Sequence, residues 1–389
     1  MRICLVYDCL FPHTVGGAER WYRNLAERLA ADGHDVTYLT LRQWDRGEPP
    51  DVPGVRVIAV GPRIGLYTRD GRRRIWPPLV FGAGVLAHLA RHGRRYDVVH
   101  TASFPYFSLL AAAAVRRRGR FALVVDWHEV WSSDYWREYL GRAGRVGHSV
   151  QRLCARVPQR AFCFSRLHAR RLVDEGLRGE PTVLEGEYAG SLEPPVPERA
   201  GTSVVFAGRH IPEKRVPALV EAMPALRERA PELHLDVYGD GPERTLVASR
   251  VAELGLADAV TQHGFVDAGE VDRALRHAVC MVLPSSREGY GMVVVEAAAA
   301  GTPSVVVAAP DNAAVELVEE GENGFVAPSA RPEDLAAAIV RVRDAGPALR
   351  ESTAAWFARN ARRLSLGSSL DRVAEAYASS RNSASIDAR

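Results

Sequence analysis

Ser203-Val204-Val205-Phe206-Ala207-Gly208-Arg209-His210-Ile211-Pro212-Glu213-Lys214-Arg215 joins a short apolar run to a turn rich in glycine, proline and charge. The apolar run predicts a buried strand over 203–207, and the turn predicts a loop at its carboxyl end, before a helix reaching Arg229. Downstream the alternation continues. Strands are predicted over 233–238, 260–263, 279–283 and 304–307. Helices are predicted over 242–254, 270–276, 291–300, 313–319 and 332–345. Short apolar strands without polar alternation, separated by helices, predict a parallel sheet covered on both faces.

Upstream the same pattern has already run once. Strands are predicted over 3–7, 36–41, 55–60, 97–100, 121–126 and 161–165, with helices over 18–31, 80–90, 106–117 and after 165 to Glu175. Between the two sets lies Gly186–Gly201, with Pro194, Pro195 and Pro197, which predicts a linker. The predicted fold is α/β with two Rossmann-like doubly wound domains and a cleft between them. The domains are 1–188 and 203–351, joined by a linker over 189–202. An amphipathic helical segment over 352–379 and a frayed tail over 380–389 complete the chain.

The composition agrees. The chain has 389 residues, of which 47% are hydrophobic and 25% charged, so a core for two domains is available and wholesale disorder is excluded. No apolar run reaches about 18 residues, and the first residues do not read as a secretory signal. A cytoplasmic location is expected, with peripheral contact at the inner membrane face as an addition. Five cysteines at irregular spacings (Cys4, Cys9, Cys154, Cys163 and Cys280) suggest free, mostly buried thiols rather than a disulfide framework or a zinc site.

Four segments carry candidate chemistry. Gly16-Gly17 precedes a helix whose free amides suit an anion. In the loop after 207, Arg209 offers a planar fork for phosphate oxygens and Lys214 a mobile point charge. Lys214 is the only lysine among 50 basic residues, so a compact ammonium is kept where arginine is otherwise used throughout. Arg287-Glu288-Gly289-Tyr290-Gly291-Met292-Val293-Val294-Val295-Glu296 follows a strand and opens a helix. Its glycines leave room for a ligand, its amides face an anion, and its carboxylates can accept sugar or ribose hydroxyls. Asp126-Trp127-His128-Glu129 ends a strand of the first domain and presents His128. Gly239-Asp240-Gly241 lacks the third glycine of a dinucleotide fingerprint, which Arg244 replaces. No Asp-x-Asp pair occurs, so no metal site is expected. A stretch with Arg63, Arg69, Arg72, Arg73, Arg74, Tyr67 and Trp76 reads as a solvated loop, or as a contact for an acceptor or membrane surface. No nucleic-acid motif accompanies it, and no nucleic-acid partner is expected.

Together these segments resemble the retaining GT-B glycosyltransferases of the GT4 family, also called glycosyltransferase group 1, over nearly the whole chain. The resemblance rests on Gly208-Arg209 through Lys214 and on Tyr238-Gly239-Asp240-Gly241-Pro242. Glu288 and Glu296 with seven residues between add to it, as do Gly301-Thr302-Pro303 and Glu322-Asn323-Gly324-Phe325-Val326. It implies a nucleotide-sugar donor as cosubstrate, its base open, with no tightly bound cofactor and an acceptor hydroxyl on a soluble metabolite or a lipid-linked molecule. It also implies that the last helix crosses back onto the first domain.

By the resemblance, Gly208, Arg209 and Lys214 bind the diphosphate, Glu296 the ribose, and Glu288 the sugar. Gly289, Tyr290, Gly291, Met292 and Val293 line the donor beside the helix start. Gly264, Phe265 and Val266 meet the base, Gly16 and Gly17 approach the phosphate, and His128 contacts the sugar. His128, Arg209, Lys214 and Glu288 form the implied catalytic set. Two features depart from the family pattern: Ala308-Ala309-Pro310-Asp311-Asn312-Ala313 stands where glycines are usual, and Asp126-Trp127 precedes His128. Asn312 is expected either to adjust sugar choice or to shape that wall differently. The alternatives are another sugar-nucleotide enzyme of this fold, epimerase-like or phosphorylase-like, and a noncatalytic binding module.

Overall fold

A computed structural model of the chain describes residues 1–386 except 46, 49, 67 and 69–72, with side chains through 378. The chain forms two compact units. The first holds the residues up to Leu184 together with those from Gly367 onward, and the second holds Glu185–Leu366.

In the first unit β1 (Arg2–Val6), α1 (Gly17–Ala31), β2 (Asp35–Leu41) and β3 (Val55–Gly61) lead to α2 (Trp76–His92) and β4 (Val98–Ala102). Then come α3 (Tyr106–Gly119), β5 (Ala122–Trp127), α4 (Ser133–Leu140), α5 (Gly144–Ala155), β6 (Arg160–Cys163), α6 (Arg166–Asp174) and β7 (Thr182–Val183). All seven strands are parallel, in the order β3-β2-β1-β4-β5-β6-β7. Two helices that the sequence did not announce, α4 and α5, follow β5. Their polar faces dilute any apolar run, yet Ser132 caps α4 by accepting from the Tyr135 amide, and Trp136 is buried.

The second unit runs β8 (Ser203–Ala207), α7 (Val216–Arg229), β9 (His234–Tyr238), α8 (Arg244–Glu253), β10 (Val260–Gly264), α9 (Ala268–His277) and β11 (Cys280–Leu283). It continues through β12 (Arg287–Glu288), α10 (Met292–Ala299), β13 (Ser304–Val307), β14 (Asp311–Asn312), β15 (Gly324–Ala327) and α11 (Pro332–Leu364). Six strands form a parallel sheet in the order β10-β9-β8-β11-β13-β15, and β12 pairs with β14. The helix predicted over 313–319 is a 3-10 helix over 313–317. The apolar strands are buried against α7 and α11 on one face, and against α10 with Trp356 and Phe357 on the other. This is the two-sided burial their composition requires.

The predicted segment 352–379 is divided. Its first part belongs to α11, which bends at Gly346 and Pro347, and α12 (Leu366–Ile386) supplies the rest. Helix α12 continues through 380–386, and 387–389 lie outside the described residues. From Gly367 the chain packs into the first unit, where Leu370, Val373 and Tyr377 are buried, Asp371 pairs with Arg28 at 2.7 Å, and Arg160 donates to the Ala376 carbonyl at 2.5 Å. All five cysteines are buried and free.

Candidate active site

Each sheet reverses its strand order once, between β1 and β4 in the first unit and between β8 and β11 in the second. Such a reversal splays the loops at the carboxyl ends apart and leaves a crevice for a ligand. In the second unit the two loops at that point are Gly208–Arg215 and Pro284–Glu288.

The first of these loops is braced from behind. The amide of Gly208 donates to the Tyr238 carbonyl at 3.1 Å, and the amide of His210 to the Asp240 carbonyl at 2.9 Å. A Cβ on Gly239 would stand 1.9 Å from the Gly208 carbonyl oxygen, and one on Gly241 2.5 Å from that of His210. Both glycines also lie at positive φ. The Gly-Asp-Gly sequence is therefore explained by close backbone packing beneath the loop and needs no dinucleotide. His210 is buried in this brace, its ring nitrogens without a hydrogen-bond partner among the described residues, and burial lowers its pKa. Its neighbour Arg209 is exposed, and no side chain of the described residues pairs with its guanidinium.

A 3-10 turn over Pro212–Lys214 then brings Lys214 back across the reversal point. Its Nζ donates to Glu288 Oε1 at 2.5 Å, and Ser285 Oγ donates to the same oxygen at 2.6 Å. Both charged side chains are largely withdrawn from solvent, 19% exposed for Lys214 and 10% for Glu288. At this burial the pair is far stronger than a surface ion pair, and removing one partner strands the other. Glu288 lies on β12 rather than in an open loop, held by pairing with Asn312 of β14. Alongside, Arg287 is paired with Glu213 at 3.3 Å, and burial lowers its pKa to about 10.

Asn312, the departure from the family pattern, is fully engaged. Its amide donates to the carbonyls of Ser285 at 3.2 Å and Val307 at 2.8 Å, and its oxygen accepts from the Ala314 amide at 3.0 Å. It fastens two loops together, and both of its amide hydrogens are committed to them. Tyr290 is likewise turned away, buried with its hydroxyl donating to the Glu185 carbonyl at 2.6 Å. Any donor contact at 290 would have to come from its backbone. Gly291 takes φ +103 at the start of α10, and a Cβ there would meet the Ala314 Cβ at 2.5 Å. Met292, Val293 and Glu296 are half-buried on that helix. Gly264, at φ +73, ends β10, and its carbonyl accepts from the Gly239 amide at 2.7 Å. Beyond it Phe265 is 80% exposed, a large apolar ring left in solvent, and Val266 is half-buried.

In the first unit Gly16 is extended and caps α1, which begins at Gly17. A Cβ on Gly16 would collide with the buried Glu19 carboxylate at 2.4 Å, whereas one on Gly17 would meet nothing within 4 Å. His128 follows β5 directly and stacks on Phe164 with ring centroids 4.3 Å apart. Its Nε2 is shut off from solvent and has no hydrogen-bond partner among the described residues. Burial lowers its pKa to about 4, against the pull of Asp126, so the ring is neutral near pH 7.

Beneath it lies a buried chain that sequence reasoning missed. Tyr377 bonds His100 Nδ1 at 2.5 Å, His100 Nε2 stands 2.7 Å from Asp126, and Trp21 Nε1 donates to Asp126 at 2.7 Å. Burial alone would raise the Asp126 pKa, but the His100 charge and hydrogen bond bring it below the ordinary carboxylate value. Only the polar residues inside apolar strands hinted at this chain.

The Arg-rich stretch divides. Arg73 turns inward to pair with buried Asp8, its guanidinium 5.0 Å from the Phe104 ring, and so leaves the solvated set. Arg63 pairs with Asp45, while Arg74, Ile75 and Trp76 are exposed. Tyr67, Arg69 and Arg72 lie outside the described residues. No group of three or more His, Cys, Asp or Glu side chains among the described residues could hold a metal ion. No helix among them is long and apolar enough to cross a membrane.

Comparison with known proteins follows these units. The model for glycosyl transferases group 1 matches residues 198–363, and that for the glycosyl transferase 4-like domain matches 16–185. A D-inositol 3-phosphate glycosyltransferase of Thermomonospora curvata is 36% identical, the match covering 96% of this chain and 93% of the relative. A glycogen synthase of Mycobacterium tuberculosis is 28% identical, covering 88% and 85%. Among solved structures, sucrose-phosphate synthase from Thermosynechococcus elongatus superposes with a TM-score of 0.76 at 21% identity, covering 98% of this chain and 99% of that one. Anabaena HepE, solved with UDP and glucose, superposes at 0.71 and 20% identity, covering 97% and 100%.

Proposed function

The chain belongs to the group 1 glycosyl transferases, GT-B enzymes that take a sugar from a nucleotide-sugar donor, and from that premise we propose that it transfers a hexose-type sugar to an acceptor hydroxyl with retention of configuration. The observation that carries this reading is the Lys214–Glu288 pair at the reversal point of the second sheet, beside an exposed Arg209. Arg209 and Lys214 take the donor diphosphate, and Glu296 takes the ribose hydroxyls. Glu288, already oriented by Lys214 and Ser285, accepts from sugar hydroxyls. Gly264, Phe265 and Val266 meet the base. Gly17 offers its amide to phosphate, and neutral His128 contacts the sugar.

As the glycosidic bond breaks, the leaving diphosphate gains negative charge. Arg209, Lys214 and the first amides of α10 stabilise that charge without moving, which is where a preorganised site lowers a barrier. The acceptor hydroxyl attacks from the leaving-group side and gives its proton to a phosphate oxygen. Glu288 already accepts two hydrogen bonds, which argues against a role as general base or nucleophile of the glycosidase kind.

The acceptor is a hydroxyl on a soluble metabolite or a lipid-linked molecule. An inositol phosphate heads the soluble set because of the 36% identical relative named for it. Peripheral membrane contact would use Arg74, Ile75 and Trp76, since Arg73 is occupied by Asp8. Donor turnover across UDP-, GDP-, ADP- and dTDP-sugars, with pooled acceptors and EDTA, tests the reading. Consumption of one donor with its anomeric configuration kept in the product is expected. Inverted product would overturn retention. Failure of the folded protein to bind any nucleotide would favour a noncatalytic module.

A further inference from the structure

The amino ends of the first unit's strands carry a second group of cations, at the opposite edge of the sheet from Gly17 and His128. A cavity of about 300 Å³ opens there, between the first residues of β1, β2 and β3 and the last turn of α2. Arg2, Arg56, Arg95, His88 and His92 line it, with Asp35 as the one carboxylate. Strands of five to seven residues separate this edge from the loops at the other end by roughly 15–20 Å.

The charges are incompletely matched. Arg2 is held by Asp97 at 2.6 Å, and Arg56 reaches Asp35 at 3.4 Å. Arg95 has no ion-pair partner among the described residues. His88 bonds the Tyr96 hydroxyl at 2.8 Å, and its ring centroid lies 4.9 Å from that of His92. Burial first, and then His92, Arg56 and Arg95, lower the His88 pKa to about 4. Basic residues in the last turn of α2 would answer its dipole, and Arg2 and Arg56 have Asp97 and Asp35, but Arg95 faces the same cavity with no carboxylate of the described residues paired to it. Like charges gathered in a concave site mark a place where an anion would relieve repulsion.

We propose that this cavity binds a small phosphomonoester carrying free hydroxyls, at a site separate from the donor cradle of the second unit. Two guanidinium groups, Arg56 and Arg95, fork phosphate oxygens, and His92 adds a third donor. Asp35 opposes a bare polyanion but accepts a hydroxyl of the esterified group, which selects a hydroxylated ester over inorganic phosphate. The volume lies at the lower end of the range for small-molecule sites.

Calorimetric titration with glycerol 3-phosphate tests this on the full chain and on a variant carrying Arg209→Ala and Lys214→Ala, which removes the other phosphate cradle. Saturable binding should persist in that variant, be tighter than for inorganic phosphate, and weaken about tenfold or more in Arg56→Gln and Arg95→Gln. Both arginines are exposed, so folding is not at stake. Flotation with vesicles containing phosphatidylinositol 4-phosphate, whose headgroup is a phosphomonoester with free hydroxyls, separates the sources. Vesicle binding lost in the same two variants assigns a lipid headgroup, and soluble binding alone assigns a free metabolite. No saturable binding in either arm, or binding indifferent to Arg56→Gln and Arg95→Gln, overturns the proposal.

Discussion

Lys214 is the residue on which the proposed chemistry turns. Its ammonium donates to Glu288, and Arg209 on the same loop is exposed. Lys214→Ala should lower donor turnover by about 10²–10³-fold. Lys214→Arg should also be impaired, because a planar fork cannot replace a point charge held 2.5 Å from Glu288. Turnover equal to the parent in a folded Lys214→Ala protein, judged by circular dichroism, would sink the phosphate assignment. His128 makes a second prediction. Its folded pKa of about 4 lies below its unfolded value of about 6.5. Below the unfolded value the unfolded chain takes the proton first, so stability falls as pH drops toward the folded pKa. The loss should be on the order of 2 kcal/mol between neutrality and about pH 5, read by urea denaturation. His128→Phe, which keeps the stack on Phe164, should lose that dependence. Asp126, whose pKa is also lowered, stabilises above its unfolded value and gives that up only in stronger acid.

At the scale of an element, the two helix starts separate folding from function. Gly291 opens α10 at φ +103 with Ala314 against it, so Gly291→Ala should cost at least about 2 kcal/mol and lower Tm. Gly17 opens α1 with open space around its Cα, so Gly17→Val should leave Tm nearly unchanged. If its amide meets a phosphate, the same substitution should raise the donor KM by crowding the approach. An unchanged KM would remove Gly17 from the donor set. Sequence pattern was sufficient to place both helix starts, because glycine is a favoured residue where a helix begins. It could not separate the two glycines, since the difference lies in what a missing Cβ would touch.

At the scale of the molecule, the chain from Gly367 belongs to the first unit although it follows the second in sequence. It completes that unit's core through Tyr377, which is buried and bonded to His100. Ending the chain at Leu366 should therefore leave the first unit unfolded or insoluble, measured by soluble yield and limited proteolysis. Tyr377→Ala should cost about 3–5 kcal/mol, the usual loss for a large buried aromatic. A truncated protein with native proteolytic resistance in residues 1–184 would show that α12 is dispensable.

The alternation of apolar strands and helices was enough for two parallel sheets, because strands covered on both faces read as short, largely apolar runs. The loops after β8 and β11 were also legible, since Arg209, Lys214, Glu288 and the glycines around them are residue types that a packed core does not need. Tertiary structure alone decided which of these groups touch. Residues 214 and 288 are far apart in the chain and meet only because the sheet reverses its order between β8 and β11. Packing likewise turned Tyr290 and Asn312 inward, sent Arg73 to Asp8 rather than to solvent, and placed Tyr377 on His100. Each of those outcomes depends on a partner distant in sequence, which local pattern cannot supply.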